Sequence, residues 1–137
     1  MSGAATLRVL IVDDSPAARL LIAAAVIRSG RRQGRTTQVT EAADGFEALR
    51  LLPRQPFDLV LTDVNMPSLS GLELIRMIRA RPEQRTLPIV AISTEREPED
   101  IRRARSAGAD GYLAKPFEAA TLDKLLIEVL EAARGKP

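Results

Sequence analysis

Short apolar runs alternate with stretches of helical periodicity five times along this chain, and that alternation constrains the fold more than any other feature. Leu7 to Val12 is continuous and apolar and closes on Asp13-Asp14. Ser15-Pro16 then supplies an N-cap and a first-turn proline. Ala17, Leu20, Leu21, Ala24 and Ile27 recur at helical spacing and are expected to form one buried face. Thr36 to Thr40 is β-rich and alternating, and Phe46, Ala48, Leu49 and Leu52 mark a short helix that Pro53 halts. Phe57 to Leu61 reads as a buried central strand running on to Asp63, with Asn65 and Pro67 opening a loop. Gly71 to Ala80 turns Leu74, Ile75 and Ile78 to one side. Pro88 to Ser93 is a fourth strand, Pro98 opens a fourth helix and Asp110 to Ala114 is a fifth strand. Leu122, Leu125, Leu126, Val129 and Ala133 make the face of the last helix. Strands alternating with helices of this length require crossovers, and so a parallel sheet covered on both faces. Five such units most simply give an open, doubly wound α/β sheet.

Ligands of such a sheet bind outside the carboxyl ends of its strands. Asp13 and Asp14, Asp63, Ser93 and Lys115 all fall at those ends, so four strands aim polar groups at one rim. Three carboxylates gathered in a cleft repel one another. A pair ~4 Å apart costs roughly 1 kcal/mol in water and about 4 at an effective dielectric of 20. Capping the first helix needs one of these acids, not two and a third from another strand. A hard divalent cation relieves the repulsion, and carboxylate oxygens with open water positions suit Mg²⁺. Lys115 places a positive charge opposite the acids. Ser93 is weaker by itself, because hydroxyls are common at strand ends.

Composition removes most competing chemistries. The chain has no histidine and no cysteine, which excludes a Ser-His triad, a thiolate or His-ligated metal site and a disulfide framework. Nucleophilic work must therefore fall to Asp, Glu, Lys, Ser or Tyr. A net charge of +2 is too small to argue for nucleic acid, and 3% aromatic residues leave little to stack on bases or a flavin. At 137 residues there is room for one core, so 1–137 is read as one domain. Met1 to Thr6 carries no signal pattern and no apolar run nears the ~20 residues of a membrane span, which makes the cytoplasm the expected location.

Val12-Asp13-Asp14-Ser15, Leu61-Thr62-Asp63-Val64-Asn65-Met66-Pro67, Ser93-Thr94 and Gly108-Ala109-Asp110-Gly111-Tyr112-Leu113-Ala114-Lys115-Pro116-Phe117 together resemble the receiver domain of two-component response regulators. The resemblance runs from Leu7 to about Ala132 in the family's order, and is strongest to the single-domain, CheY-like chemotaxis type. It implies a flavodoxin-like (βα)5 sheet of strand order 2-1-3-4-5. It also implies a signalling switch rather than an enzyme acting on other molecules. Asp63 would accept a phosphoryl group from a phosphohistidine of a sensor kinase or His-phosphotransfer protein. Asp14 and Asp63 would ligate Mg²⁺ (or Mn²⁺) directly, Asp13 through water and Asn65 by its backbone carbonyl. Lys115 would pair with the phosphoryl oxygens, Ser93 would hydrogen-bond the group after transfer, and Tyr112 would change rotamer with it. Asn65 and Glu95 would tune hydrolysis, in the pairing of fast-resetting chemotaxis types. A cis peptide before Pro116 is also implied.

The fourth helix has a thin apolar face, Ile101, Ala104 and Ala107, beneath a charged surface. Leading out of Ser93, it is the least anchored element, and the face made by fourth helix, fifth strand and fifth helix is the expected docking surface for a downstream protein. Two features depart from the family pattern. Ser93 stands where threonine is commoner. The segment Ser29 to Arg35 reads as a long, basic loop on the far rim, either solvated or docking an acidic partner. The chain ends at Pro137 without an output module, which favours a free-standing monomer, with a dimer open on phosphorylation. A phosphorelay intermediate and a receiver fragment of a larger regulator fit the same pocket. From another class, an aspartyl phosphohydrolase would need Asp-x-Asp after the first strand, where this chain has Asp13-Asp14-Ser15. A P-loop is absent from the sequence.

Overall fold

The computed structural model describes residues 6–135, so most of the stretch read for a signal pattern lies outside the described residues. Its elements are β1 (Thr6–Val12), α1 (Pro16–Arg32), β2 (Thr36–Ala42), α2 (Gly45–Leu51), β3 (Leu59–Asp63), α3 (Gly71–Arg79), β4 (Ile89–Ser93), α4 (Pro98–Ala107), β5 (Gly111–Ala114) and α5 (Ala119–Arg134). All neighbouring strands pair in parallel, in the order β2-β1-β3-β4-β5. This is the flavodoxin-like arrangement. β3 and β4 are buried at every position, as strands covered on both faces must be.

Alternate side chains of the same strands feed two cores. Leu10, Val12, Val60 and Ile89 pack under α2, α3 and α4 with Leu74, Ile75 and Ile78. Val9, Ile11, Leu61 and Ile92 face α1 and α5, meeting Ile22, Val26, Leu122 and Leu126. Side-chain caps fix where helices begin. Ser15 Oγ accepts from Ala18 N at 3.2 Å, and Ser70 and Glu73 form a reciprocal capping box on α3. Among the described residues no helix is long and apolar enough to cross a membrane.

Two expectations need correction. The buried face of α1 is Ile22, Ala23, Val26, Ser29 and Gly30, whereas Leu20 and Leu21 are 67% and 71% exposed. The basic segment Ser29 to Arg35 is also not a loop through most of its length. α1 continues to Arg32, Ser29 and Gly30 are buried within it, and the chain turns only at Gln33, Gly34 and Arg35. Gly34 takes φ 73°, where glycine is favoured. Arg32, still exposed, is paired, donating two 2.8 Å hydrogen bonds to the Asp123 carboxylate on α5. Phe46 marks α2 but points outward, and Ala48 and Leu52 form the buried side there.

Candidate functional site

Strand register assembles the rim. Val12 pairs with Thr62 across β1 and β3, so the next residues, Asp13 and Asp63, emerge side by side. Asp63 pairs with Ile92, and Ser93 with Ala114, so Ser93 and Lys115 follow on β4 and β5. Strand order reverses direction between β1 and β3, the place where open α/β sheets bind ligands.

Asp13, at 1% exposure, and Asp63, at 8%, lie below the surface, and Asp14 stands in solvent. One oxygen from each lies within 4.8 Å of the others. Asp13 Oδ1 accepts from Ser15 N at 2.9 Å, which ties it to the helix cap. Lys115 Nζ reaches back to Asp13 Oδ2 at 3.3 Å and Asp63 Oδ1 at 3.5 Å. The Lys115 main-chain N–H bonds the Ser93 carbonyl at 2.7 Å, and the Lys115–Pro116 peptide is cis.

Burial pushes the Asp63 carboxyl above its ordinary range, and the charge of Asp13 pushes the same way. The Lys115 ammonium and the Asn65 backbone N–H oppose them. The one nearby lysine thus does not fully offset the cost of burying the Asp63 charge. Three hard carboxylate oxygens within reach of one another, with one acid open to water, form a donor set that suits a divalent cation such as Mg²⁺.

The remaining predicted residues are not in contact with the acids in the same way. Ser93 is buried and its Oγ accepts from Glu95 N at 3.1 Å. Asn65 Nδ2 donates to Glu95 Oε1 at 3.2 Å, so the two positions bond each other across the mouth of the site. Tyr112 OH donates to the Glu95 carbonyl at 2.6 Å. Ser93, Asn65 and Tyr112 thus each hydrogen-bond Glu95 in the loop between β4 and α4.

Sequence reasoning passed over Arg19. Its guanidinium bonds the Asp13 carbonyl at 2.6 Å and Glu41 Oε1 at 2.9 Å, bracing the acidic turn from behind. Its signal was a lone arginine one turn beyond the helix cap. Arg96 was also unmarked; its Nη2 donates to the Lys115 carbonyl at 2.9 Å. So was a groove of about 540 Å³ between α1 and α5, floored by Ile22, Ala25 and Leu122, walled by Leu21 and Phe117, and open to Lys115 at the rim.

Comparison with known proteins agrees with this geometry. The model of the response regulator receiver domain matches residues 9–127. The chemotaxis protein CheY-3 of Vibrio cholerae is 38% identical over 125 residues, spanning 91% of this chain and 92% of that protein. The crystal structure of CheY4 from Vibrio cholerae gives a TM-score of 0.81 at 36% identity, over 92% of this chain and all of the other. The receiver domain of the sensor histidine kinase PA1611 from Pseudomonas aeruginosa, with magnesium coordinated in its active-site cleft, gives 0.79 at 34% identity over 93% and 99%. A match of that extent, on a sheet whose register alone brings Asp13 and Asp63 together, shows that this chain belongs to the response regulator receiver family.

Proposed function

We propose that this chain is a phosphorylation-activated switch in which Asp63 accepts a phosphoryl group from a phosphohistidine of a sensor kinase or His-phosphotransfer protein. An Asp63 carboxylate oxygen attacks phosphorus as the phosphorus–nitrogen bond to the imidazole breaks, and the imidazole keeps the electron pair and takes up a proton. The product is a mixed anhydride, hydrolysed by water back to carboxylate and phosphate. The single observation that carries this reading is the buried Asp63 carboxylate, its charge disfavoured by burial and by Asp13, facing the Lys115 ammonium at 3.5 Å.

Asp13, Asp14 and Asp63, with the Asn65 carbonyl, would hold Mg²⁺, which supplies positive charge against the phosphoryl oxygens. The chain's own residues do the rest. Lys115 shares the equatorial charge, and β1 and β3 fix the acceptor, so that positioning and charge neutralisation are most of the catalysis. Ser93 would turn its hydroxyl from Glu95 N to the phosphoryl group. Glu95 also holds Tyr112, so that movement would reach the α4–β5–α5 face, the proposed docking surface for a downstream protein. Asn65 and Glu95, which bond each other at 3.2 Å, would tune hydrolysis of the acyl phosphate and so its lifetime. Residues 1–137 would act as one receiver domain, in the cytoplasm, on itself alone.

Intact mass of wild type and Asp63→Asn after incubation with acetyl phosphate, with and without Mg²⁺, tests the reading. A phosphate-sized gain only in wild type with Mg²⁺ is expected. No gain in wild type that binds Mg²⁺ and stays folded overturns it.

A further inference from the structure

Lys115 is held loosely at its tip and firmly at its base. Its ammonium contacts, 3.3 Å to Asp13 and 3.5 Å to Asp63, are long for charge-assisted hydrogen bonds. By contrast, its main-chain N–H bonds Ser93 at 2.7 Å and its carbonyl accepts from Arg96 Nη2 at 2.9 Å. The same nitrogen stands 3.4 Å from the Pro116 carbonyl. The Lys115 main chain is thus better anchored than its ammonium and fixes the point from which that side chain reaches the acids, and two of its anchors come from one stretch of chain, Ser93 to Arg96. The long Arg96 side chain, with its donors at the end, crosses from the β4–α4 loop to the turn after β5. Arg96 follows directly after Glu95, whose carbonyl takes the Tyr112 hydroxyl.

We propose that Arg96 is a positioning residue for phosphoryl transfer, acting by holding the Lys115 main chain so that the ammonium faces the acceptor. The inference rests on the acceptor reading above. Arg96 touches neither acid nor phosphoryl group, and its bond is on the surface, so its loss leaves the fold intact and the lysine free to drift. Loss of one such hydrogen bond in the transition state corresponds to about a threefold to tenfold slower transfer.

The test is the rate of phosphate gain by intact mass, with acetyl phosphate below saturation and Mg²⁺ present. Wild type, Arg96→Ala, Arg96→Lys, Lys115→Ala and the Arg96→Ala/Lys115→Ala double variant are compared, each with its thermal midpoint. Arg96→Ala is expected to slow transfer about threefold to tenfold at an unchanged midpoint, with Arg96→Lys restoring most of the rate through its own donor. In the Lys115→Ala background the Arg96 substitution should cost nothing further, which a merely structural role would not produce. An unchanged rate in Arg96→Ala, or the same loss with and without the Lys115 side chain, overturns the proposal while leaving Asp63 as acceptor. Wild type that gains no phosphate overturns the acceptor reading, and this inference with it.

Discussion

Replacing Gly71 by alanine should loosen β3 from the helix that follows it. Gly71 is the first residue of α3, and its N–H bonds the Val64 carbonyl at 2.9 Å. A Cβ there would lie 2.8 Å from Val64 Cα and 2.9 Å from the Asp63 carbonyl carbon, both closer than real Cβ atoms come. These are main-chain atoms and cannot rotate aside, and β3 is paired on both edges, so α3 or the 64–70 loop must move. Overpacking of this kind costs about 1–3 kcal/mol, and contact with backbone argues for the upper end. The gain in helix propensity is at most about 1 kcal/mol, leaving a net loss near 2. At roughly 4 °C per kcal/mol for a chain of this size, the thermal midpoint should fall by about 8 °C. Urea unfolding followed by far-ultraviolet circular dichroism measures the loss of stability directly. Gly34→Ala serves as the comparison, since φ is 73° there but no atom lies within 4 Å, so only backbone strain of about 1 kcal/mol applies. A Gly71→Ala protein within about 0.5 kcal/mol of wild type, the range of ordinary surface changes, would refute close packing of α3 on the Asp63–Val64 main chain.

Four further outcomes are expected. Folding raises the Asp63 carboxyl above its ordinary range, so the ionised form weighs against the fold, a penalty absent below about pH 3.8 and growing as pH rises through the raised value. In Mg²⁺-free buffer at pH 7, Asp63→Asn should therefore unfold at higher urea than wild type, and an equal or lower midpoint refutes this. Mg²⁺ at a hundred times its dissociation constant should stabilise wild type by about 2.7 kcal/mol and Asp63→Asn by less, read from thermal midpoints. Asp123 is held at about 2, first by the hydrogen bonds of Arg32 and then by Ser29. Its contribution is present above the ordinary carboxylate range and lost as pH falls toward 2, and Arg32→Ala should move the Asp123 carbon-13 titration up into that range. Arg79 donates to the carbonyls of Gly108 and Gln84 and to the Asp110 carboxylate, joining α3 to the turn before β5. Arg79→Ala should cost about 2–3 kcal/mol in urea unfolding.

The rim of the site was legible because a strand's end is a position in sequence. An apolar run that stops at an acid says where that acid emerges, and parallel pairing puts all such ends on one side. Asp13, Asp63, Ser93 and Lys115 needed nothing more to be grouped. The bracing arginines Arg19 and Arg96 behind the rim, and Arg79 between α3 and the turn before β5, were not legible, for a common reason. Each donates its guanidinium to main-chain carbonyls in another segment, Asp13, Gly108 and Lys115. A carbonyl is present at every residue, so no residue type in the receiving segment marks the contact. The hydrogen bond between Asn65 and Glu95 belongs with these, since it depends on how two loops lean together.

The rotation of α1 could have been settled by charge rather than by apolar spacing. Leu20 to Ile27 is apolar without a break, so periodicity has nothing to select a face there. Ala17, Leu20, Leu21, Ala24 and Ile27 do share one side of a helix, but Arg28 and Arg31 continue that same side by the i+4 and i+7 steps from Ala24. Burying the leucines would have buried both arginines. Full burial of a leucine is worth about 1.5–3 kcal/mol, whereas an unpaired buried ion costs several kcal/mol even after relaxation. Two leucines cannot offset two guanidinium groups. The helix instead turns Ile22, Val26, Ser29 and Gly30 to the sheet, with Gly30 so close to Thr37 that a side chain there would collide with the threonine hydroxyl. Exposed Leu20 and Leu21 follow from where Arg28 and Arg31 must point, and with Leu21 as its wall the groove beside Lys115 exists for the same reason.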